Sequence, residues 1–362
     1  MRILVFRIGQ LGDTLVAVPA LHALRSHFPQ AHITLLCDRH PGRGYCVAGE
    51  VLAGSGLVDG FESYPVGARG PGRIAMALLL ARLRRGRHDL LAYLAPSTRS
   101  PERVRRDLAY FRWAGIANAV GAHGFDSRPE RPKGLPPREF PREADLLLAR
   151  LARSGIPVPA PGAGNCRIGI GEAERDEVEE WLPEYPQDLG RAWIGVGPGS
   201  KMPSKVWPTE RYAEVVEGLI RRFDVWPVVF GGPEDRQTGA RLLLRWKRGY
   251  NAAGHLGVRA AAAALARCRL YVGNDTGTMH LAVAAGTRCV AIFSSRDQPG
   301  LWEPYGPGHA VLRTRIDCEG CMLERCVDRG MACLLAIGAH EVERECALLL
   351  EERKAARKEC SR

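Results

Sequence analysis

The feature that most constrains the fold is an alternation of short apolar runs with helical patterns, which occurs twice along the 362-residue chain. Near the start, the apolar run at residues 3–6 is followed by a glycine-containing turn, a helical pattern through Leu24 and a second apolar run at residues 32–37. Strand, tight turn, helix and strand in this order form the βαβ unit of a parallel sheet. The first part of the chain is therefore predicted to be a parallel α/β domain.

The alternation resumes after two stretches rich in proline and glycine, at residues 121–143 and 155–162, which are typical of long loops and domain boundaries. The later predicted strands are 193–196, 226–230, 270–272 and 289–293, and the predicted helices are 210–222, 260–266 and 279–285. We therefore expect two Rossmann-like domains, residues 1–165 and 166–340, facing each other across a cleft. Residues 341–362 are predicted to form a charged helix that could pack back across the domains.

The composition is that of an ordinary soluble globular protein, with 46% hydrophobic and 25% charged residues. The longest apolar stretch, residues 74–81, is far shorter than the roughly 20 residues of a membrane-spanning helix. The N-terminal apolar run is also too short for a secretory signal, so we expect a cytoplasmic protein. Basic residues exceed acidic ones by 51 − 40 = 11, which permits nucleic acid, an anionic membrane surface or a phosphate-rich substrate as partner.

A polar, glycine-containing turn connects an apolar strand to a helix of small residues within residues 271–286. The first amides of such a helix have no partners within it, and the helix dipole adds positive potential, so the turn is suited to a phosphate group. The alternative is a well-capped helix, with Asp275 or Thr276 as N-cap and His280 as a core residue whose imidazole is hydrogen-bonded. This segment alone does not decide between them.

Two further loops follow predicted strands and therefore lie at the same edge of the sheet. The loop at residues 197–208 is rich in glycine and carries Lys201 and Lys205, which suits a diphosphate. The loop after residue 230 carries Glu234 and Asp235, whose carboxylates could accept hydrogen bonds from a ribose or a base. A surface loop with solvated lysines and an ordinary turn are the alternatives.

These three segments, together with Arg7-Ile-Gly-Gln-Leu-Gly-Asp13-Thr and residues 302–306, resemble glycosyltransferase family 9. This is the heptosyltransferase family of lipopolysaccharide core synthesis. The similarity extends from residue 1 to about residue 306, and Lys205-x-Trp-Pro208 and Asp275-Thr-Gly-x-x-His280 are its most specific motifs.

The resemblance implies a GT-B fold, with the acceptor on the N-terminal domain and the nucleotide-sugar on the C-terminal one. It implies transfer of heptose from ADP-heptose with inversion, Asp13 acting as general base and Lys205 contacting the diphosphate. The donor-binding residues that it implies are Gly12, Ser200, Lys205, Glu234, Asp275, Thr276, Gly277, Thr278 and His280, with Asp235 as the alternative to Glu234.

Elementary chemistry agrees with this assignment. An attacking hydroxyl needs a base within hydrogen-bond reach, and Asp13 could provide it. The departing diphosphate gains negative charge, which Lys205 and helix amides would stabilise. The sequence contains no Asp-x-Asp pair, the usual carboxylate clamp for a metal-bound diphosphate, so no metal cofactor is expected in catalysis. The alternative role for Asp13 is a simple N-cap of the first helix.

Four of the eleven cysteines are closely spaced near the C-terminus. They are Cys318, Cys321, Cys326 and Cys333. Thiolates at such spacing can bind one tetrahedral zinc, or iron, in a structural site. Reduced cysteines, or local disulfides formed after purification, are the alternative.

Two arginine clusters lie in the predicted acceptor domain. They are Arg82, Arg84, Arg85 and Arg87, and Arg99, Arg103, Arg105 and Arg106. A phosphorylated glycolipid acceptor and the cytoplasmic face of the inner membrane would both favour such charge, whereas a solvated helix face is the alternative.

An epimerase or a transferase using another nucleotide-sugar remains open on the same fold. A basic nucleic-acid-binding protein is less favoured, because no recognised nucleic-acid module is present.

Overall fold

The computed structural model describes residues 1–40, 47–66, 71–125 and 139–360, which form two compact α/β units. The first unit contains the described residues up to 125 and residues 141–169, and the second contains residues 139–140 and 170–360. The sequence-based boundary after residue 165 lies four residues before the division at residue 169. Of the proline- and arginine-rich stretch at residues 121–143, residues 126–138 lie outside the described residues.

The first unit is a five-stranded parallel sheet with strand order β3-β2-β1-β4-β5. Its strands are β1 Arg2–Phe6, β2 His32–Arg39, β3 Gly60–Pro65, β4 Leu90–Tyr93 and β5 Ala119–Val120. Its helices are α1 Leu11–Val16, α2 Val18–His27, α3 Ala48–Leu52, α4 Pro71–Gly86, α5 Pro101–Trp113 and α6 Glu143–Ala152. The chain winds outward from β1 in one direction and then returns to β4 on the other side, so the switch point lies between β1 and β4.

The second unit is a six-stranded parallel sheet with strand order β11-β10-β9-β6-β7-β8. Its strands are β6 Trp193–Gly197, β7 Trp226–Val229, β8 Tyr250–Asn251, β9 Leu270–Asn274, β10 Cys289–Phe293 and β11 Ala310–Arg313. Its helices are α7 Glu172–Trp181, α8 Thr209–Phe223, α9 Arg236–Trp246, α10 Val258–Arg267, α11 Gly277–Ala285, α12 Ala332–Leu335 and α13 Ala339–Cys360, with short 3₁₀ helices at Pro203–Lys205 and Pro233–Asp235. The switch point here lies between β6 and β9.

The expected class of two parallel-sheet α/β domains is confirmed. The central strands β6, β9 and β10 are buried along their whole length, which is why they appear in the sequence as continuous apolar runs. The single helix expected after β1 is instead two helices that meet at Ala17. Pro19 causes the break, because proline lacks the amide hydrogen of a continuous helix and clashes with the preceding turn.

The C-terminal helix α13 is part of the core of the second unit. Val342, Cys346 and Leu350 follow one another at four-residue spacing and are buried in the same cluster as residues of α8. Glu351 of α13 also pairs with Arg222 of α8, at 2.6 Å between Oε1 and Nη2. No helix in the described part of the chain is long and apolar enough to cross a membrane.

Candidate functional site

The polar residues expected to bind the donor meet at the carboxyl edge of the second sheet. Lys205 follows β6 and Asp275 follows β9, and these two strands flank the switch point. Asp297 follows the neighbouring strand β10. Because the carboxyl ends of adjacent parallel strands lie at one edge, side chains far apart in sequence converge there, and ligands of open α/β sheets bind in this crevice.

Lys205 lies between two carboxylates at this edge. Its Nζ donates to Asp275 Oδ2 at 2.5 Å and lies 3.3 Å from Asp297 Oδ2. Burial alone would lower the pKa of the Lys205 ammonium, but the two carboxylates outweigh it, and the pKa is raised. Arg296 Nη1 lies 2.5 Å from the same oxygen of Asp297. The site therefore carries two fixed positive charges that are balanced by two carboxylates.

Main-chain carbonyls of the cysteine-rich segment hold Arg296 in place. Its Nε donates to the carbonyl of Leu323 and its Nη2 to that of Met322, both at 2.8 Å. The hydroxyl of Ser204, the residue before Lys205, donates to the same Leu323 carbonyl at 2.7 Å. The segment thus fixes the residues that immediately precede both Lys205 and Asp297.

Asn274, at the end of β9, connects the loops around the site. Its Nδ2 donates to the carbonyl of Pro198 at 2.8 Å, and its Oδ1 accepts from the amide of Trp207 at 3.1 Å and the hydroxyl of Tyr212 at 2.8 Å. Trp207 is fully buried and donates from Nε1 to the carbonyl of Ile337 at 3.1 Å. The Lys-x-Trp-Pro motif therefore anchors its loop through the tryptophan and leaves Lys205 at the site.

The turn after β9 places the start of α11 beside this charge pair. Thr276 is the N-cap residue, and Gly277 and Thr278 are the first two helical residues, whose amides have no partner within the helix. The carboxylate of Asp275 pairs with Lys205, so Asp275 is not the cap. His280 is buried, and burial lowers the pKa of its imidazole to about 4, so the ring is neutral at neutral pH.

The other two loops place Ser200, Glu234 and Asp235 near the same edge. The hydroxyl of Ser200 accepts a hydrogen bond from the amide of Met202 at 3.2 Å. Glu234 is exposed, whereas Asp235 accepts from the amide of Gly232 at 3.0 Å and fills the space that a side chain at Gly199 would need. Burial raises the pKa of Asp235. Asp235 therefore joins the β6 and β7 loops, while Glu234 is the more accessible carboxylate.

Gly12 and Asp13 lie in the first unit, on α1. Gln10 is the N-cap of this helix and Asp13 is its third residue, so the simple N-cap interpretation of Asp13 is wrong. Asp13 Oδ2 accepts from the amide of Gln10 at 2.9 Å, which satisfies one amide of the first turn. Its Oδ1 faces the guanidinium of Arg7 at 3.8 Å, and 29% of the side chain is exposed. The capping role therefore coexists with an accessible carboxylate.

Comparison with known proteins shows which proteins this chain resembles. The family model described as Glycosyltransferase family 9 (heptosyltransferase) matches residues 164–332. Lipopolysaccharide heptosyltransferase 2 of Escherichia coli K12 is 26% identical over 334 residues, covering 86% of this chain and 88% of that protein. Both matches confirm the predicted resemblance to glycosyltransferase family 9. The predicted enzyme class, a glycosyltransferase, is also confirmed.

Solved structures agree on the fold of this glycosyltransferase. A glycosyltransferase family 9 protein from Veillonella parvula superposes with a TM-score of 0.73 at 24% identity, covering 97% of each chain. The Escherichia coli ADP-heptose lipopolysaccharide heptosyltransferase II superposes with a TM-score of 0.68 at 22% identity, covering 98% of this chain and 100% of that one. The predicted GT-B class, built from two Rossmann-like domains, is confirmed.

The predicted metal centre of this glycosyltransferase is not supported. All four cysteines line one small pocket, but no three His, Cys, Asp or Glu side chains of the described residues are placed to bind a metal ion. Cys321 is exposed, and Cys326 Sγ accepts a hydrogen bond from the amide of Met331 at 3.3 Å. All four are free thiols. The segment instead contributes its main-chain carbonyls to Arg296 and Ser204.

Sequence reasoning missed three residues of the site, namely Asn274, Arg296 and Asp297. A signal for the last two was present, because they follow the predicted strand at residues 289–293 and therefore belong to the same carboxyl edge. Asn274 lies within the segment at residues 271–286, but its role as a connector of loops depends on contacts with residues about 70 positions away.

The lowered pKa of His280 predicts a pH-dependent stability. The ordinary value is 6.5 and the folded value about 4, so below pH 6.5 the unfolded chain takes up a proton that the folded protein excludes. We expect the stabilisation of wild type relative to His280→Asn to fall by about 2 kcal/mol between pH 7 and pH 5 in chemical denaturation. The exposed His255, replaced by Asn, is the matched control for the loss of one imidazole. A constant difference between wild type and His280→Asn across this pH range would contradict the buried, neutral imidazole.

Proposed function

We propose that this enzyme transfers heptose from ADP-heptose to a hydroxyl of a lipopolysaccharide-core or related glycan acceptor, with inversion and without a metal cofactor. The observation that carries the proposal is Lys205, which lies between Asp275 and Asp297 beside the first amides of α11. A buried ammonium next to unpaired helix amides is suited to bind a diphosphate. The heptosyltransferase activity named for the E. coli relatives supports a heptose donor and a lipopolysaccharide acceptor.

The donor site would work by an exchange of anions on Lys205. When the diphosphate binds, its oxygens would share the ammonium with the two carboxylates, and the amides of Gly277 and Thr278 would bind the same group. Glu234, or Asp235 beside it, would accept hydrogen bonds from the ribose or base. The raised pKa of Lys205 keeps its charge through the neutral range, as an electrostatic role requires.

In the first unit, Asp13 would be the general base. The acceptor hydroxyl would give its proton to the Asp13 carboxylate as its oxygen forms a bond to the anomeric carbon. The bond from that carbon to the diphosphate oxygen would break on the opposite face, which inverts the configuration, and its electron pair would leave with ADP. Lys205 and the α11 amides would stabilise the charge that develops on ADP. The lack of an Asp-x-Asp pair in the sequence supports a reaction without a metal clamp.

Replacement of Asp13 tests the proposed mechanism. We expect Asp13→Asn to bind ADP with wild-type affinity but to lose at least about 100-fold in the rate of transfer, because general bases contribute 10²–10⁴-fold. Asp59→Asn, which removes another carboxylate of the same unit, is the matched control and should stay within about threefold of wild type. Near-normal turnover by Asp13→Asn would overturn the assignment of the base.

We further propose that the first unit contacts the surface of an anionic membrane. Ile74 and Leu78 lie four residues apart on α4 and are 67% and 57% exposed, and Trp113 at the end of α5 is 68% exposed. Arg84 of α4 donates to the carbonyl of Trp113 at 2.9 Å, so the apolar residues have basic neighbours. Apolar side chains with arginines around them favour binding to anionic lipid headgroups.

The two arginine clusters do not contribute equally to this surface. Arg99 is nearly buried and pairs with Asp107 at 2.5 Å, so it stabilises the fold and is not available to bind a membrane. Arg82 pairs with Glu62 at 3.1 Å but is 45% exposed, and Arg106 is 68% exposed. Exposed arginines, and not the whole set counted in the sequence, would therefore face the membrane or a phosphorylated acceptor.

The membrane proposal predicts the behaviour of a variant in a vesicle sedimentation assay. We expect Ile74→Ser/Leu78→Ser to bind vesicles of 30% phosphatidylglycerol at least fivefold more weakly than wild type, because it loses the apolar contact. Leu244→Ser, which changes an exposed leucine of the second unit, is the control and should bind like wild type. Equal binding by all three proteins, or none by wild type, would contradict the proposal.

A further inference from the structure

Asp13 lies beside a set of charged side chains that are buried in the first unit. Arg7, Glu143 and Arg150 are 1%, 0% and 2% exposed. We call these three residues and Asp13 the buried charge cluster. It has two positive and two negative side chains, and it lies at the switch point between β1 and β4. The predicted site residues included none of the three buried members.

Arg7 makes two contacts with Asp13 and one with the segment after β4. Its Nε donates to the main-chain carbonyl of Asp13 at 2.7 Å, and its Nη1 donates to the carbonyl of Leu94, just after β4, at 2.8 Å. Its Nη2 faces Asp13 Oδ1 at 3.8 Å. The planar guanidinium is therefore fixed by one carbonyl of α1 and one just after β4, and one edge of it is directed at the proposed base.

Glu143, the first residue of α6, faces Arg7 from the other side. Its Oε1 lies 3.6 Å from Arg7 Nη1 and accepts a hydrogen bond from the amide of Ser97 at 2.9 Å. Arg150, two turns later on the same helix, donates from Nη2 to the carbonyl of Ala95 at 2.7 Å. Burial raises the pKa of Glu143, and Arg7 opposes that rise.

The cluster is incompletely hydrogen-bonded. Among the described residues, Arg7 Nη2, Glu143 Oε2 and two nitrogens of Arg150 find no hydrogen-bond partner. Buried charges with unsatisfied atoms are usually less stable than apolar side chains of similar size. Stability alone therefore does not account for this arrangement, and its contacts with Asp13 suggest what it does.

We propose that Arg7 and Glu143 are positioning residues that set the orientation and basicity of the Asp13 carboxylate. Arg7 fixes the backbone and faces the carboxylate, and Glu143 balances the charge of Arg7 from the opposite side. Without Glu143, the full charge of Arg7 would act on Asp13, which would draw the carboxylate closer and weaken it as a base. This inference rests on the proposed role of Asp13 as general base.

The test is the steady-state kinetics of Glu143→Gln with ADP-heptose and a core acceptor. We expect kcat to fall about 10- to 100-fold, while the KM for the donor and the Kd for ADP stay within about twofold, because the change acts on proton transfer and not on donor binding. Glu143→Asp, which keeps the charge, should recover a large part of kcat. Arg7→Lys keeps the charge but cannot hold both carbonyls, and should lose kcat in the same way.

Leu147→Ala controls for loss of stability, since Leu147 is a buried apolar residue of the same helix. It should lower the unfolding temperature but leave kcat per folded molecule within about twofold. If Glu143→Gln fails to fold, the double variant Glu143→Gln/Arg150→Gln, which removes one charge of each sign, replaces it in the kinetic test. An unchanged kcat, or an equal loss in Leu147→Ala, would overturn the inference. Normal turnover by Asp13→Asn would instead overturn the proposed function.

Discussion

The proposed donor site depends on one electrostatic arrangement, the ammonium of Lys205 between the carboxylates of Asp275 and Asp297. In the interior of a protein an unpaired ammonium would lose its proton, and an unpaired carboxylate would gain one. Together these groups retain their charge at the edge of a sheet, where water is largely excluded. A diphosphate that enters the site meets a positive charge that is already fixed in position, as electrostatic stabilisation of a leaving group requires.

The topology of the two sheets explains why the important residues are found where they are. In each unit the chain begins near the middle of the sheet, winds outward and then returns on the other side, which creates one switch point. Lys205 and Asp275 lie at that point in the second unit, and Arg7 and the residues after β4 lie at it in the first. Each unit thus carries a charge network at the corresponding place, one around Lys205 and one around Arg7 and Asp13.

The sequence was sufficient to predict the two parallel sheets, because buried strands appear as apolar runs and polar turns follow them. It also placed Lys205 and Asp275 at one edge, since both follow strands of the same sheet. It could not predict that Asp297 forms an ion pair with Lys205 in addition to Asp275, because that contact depends on how the cysteine-rich segment holds Arg296. The spacing of the cysteines suggested a metal, but spacing does not fix whether four thiols converge.

Glu143 and Arg150 illustrate a signal that was available but not used. They share a face of α6 with Leu147, which is buried, so their positions alone indicated charges inside the domain. The break at Ala17 is a second signal of this kind, because Pro19 indicates it by local chemistry although a single helix was predicted. Local rules can therefore account for the elements, whereas pairing between distant loops requires the tertiary structure.

The most direct test of the donor site is calorimetric titration of the protein with ADP, UDP, GDP, CMP and a short RNA at fixed salt in the presence of EDTA. The account predicts selective binding of ADP without added metal, and weaker binding in Asp275→Ala, which loses the carboxylate that holds Lys205 in place. Preference for UDP or GDP would contradict the ADP-heptose donor. Binding of RNA alone would contradict the assignment of the site itself.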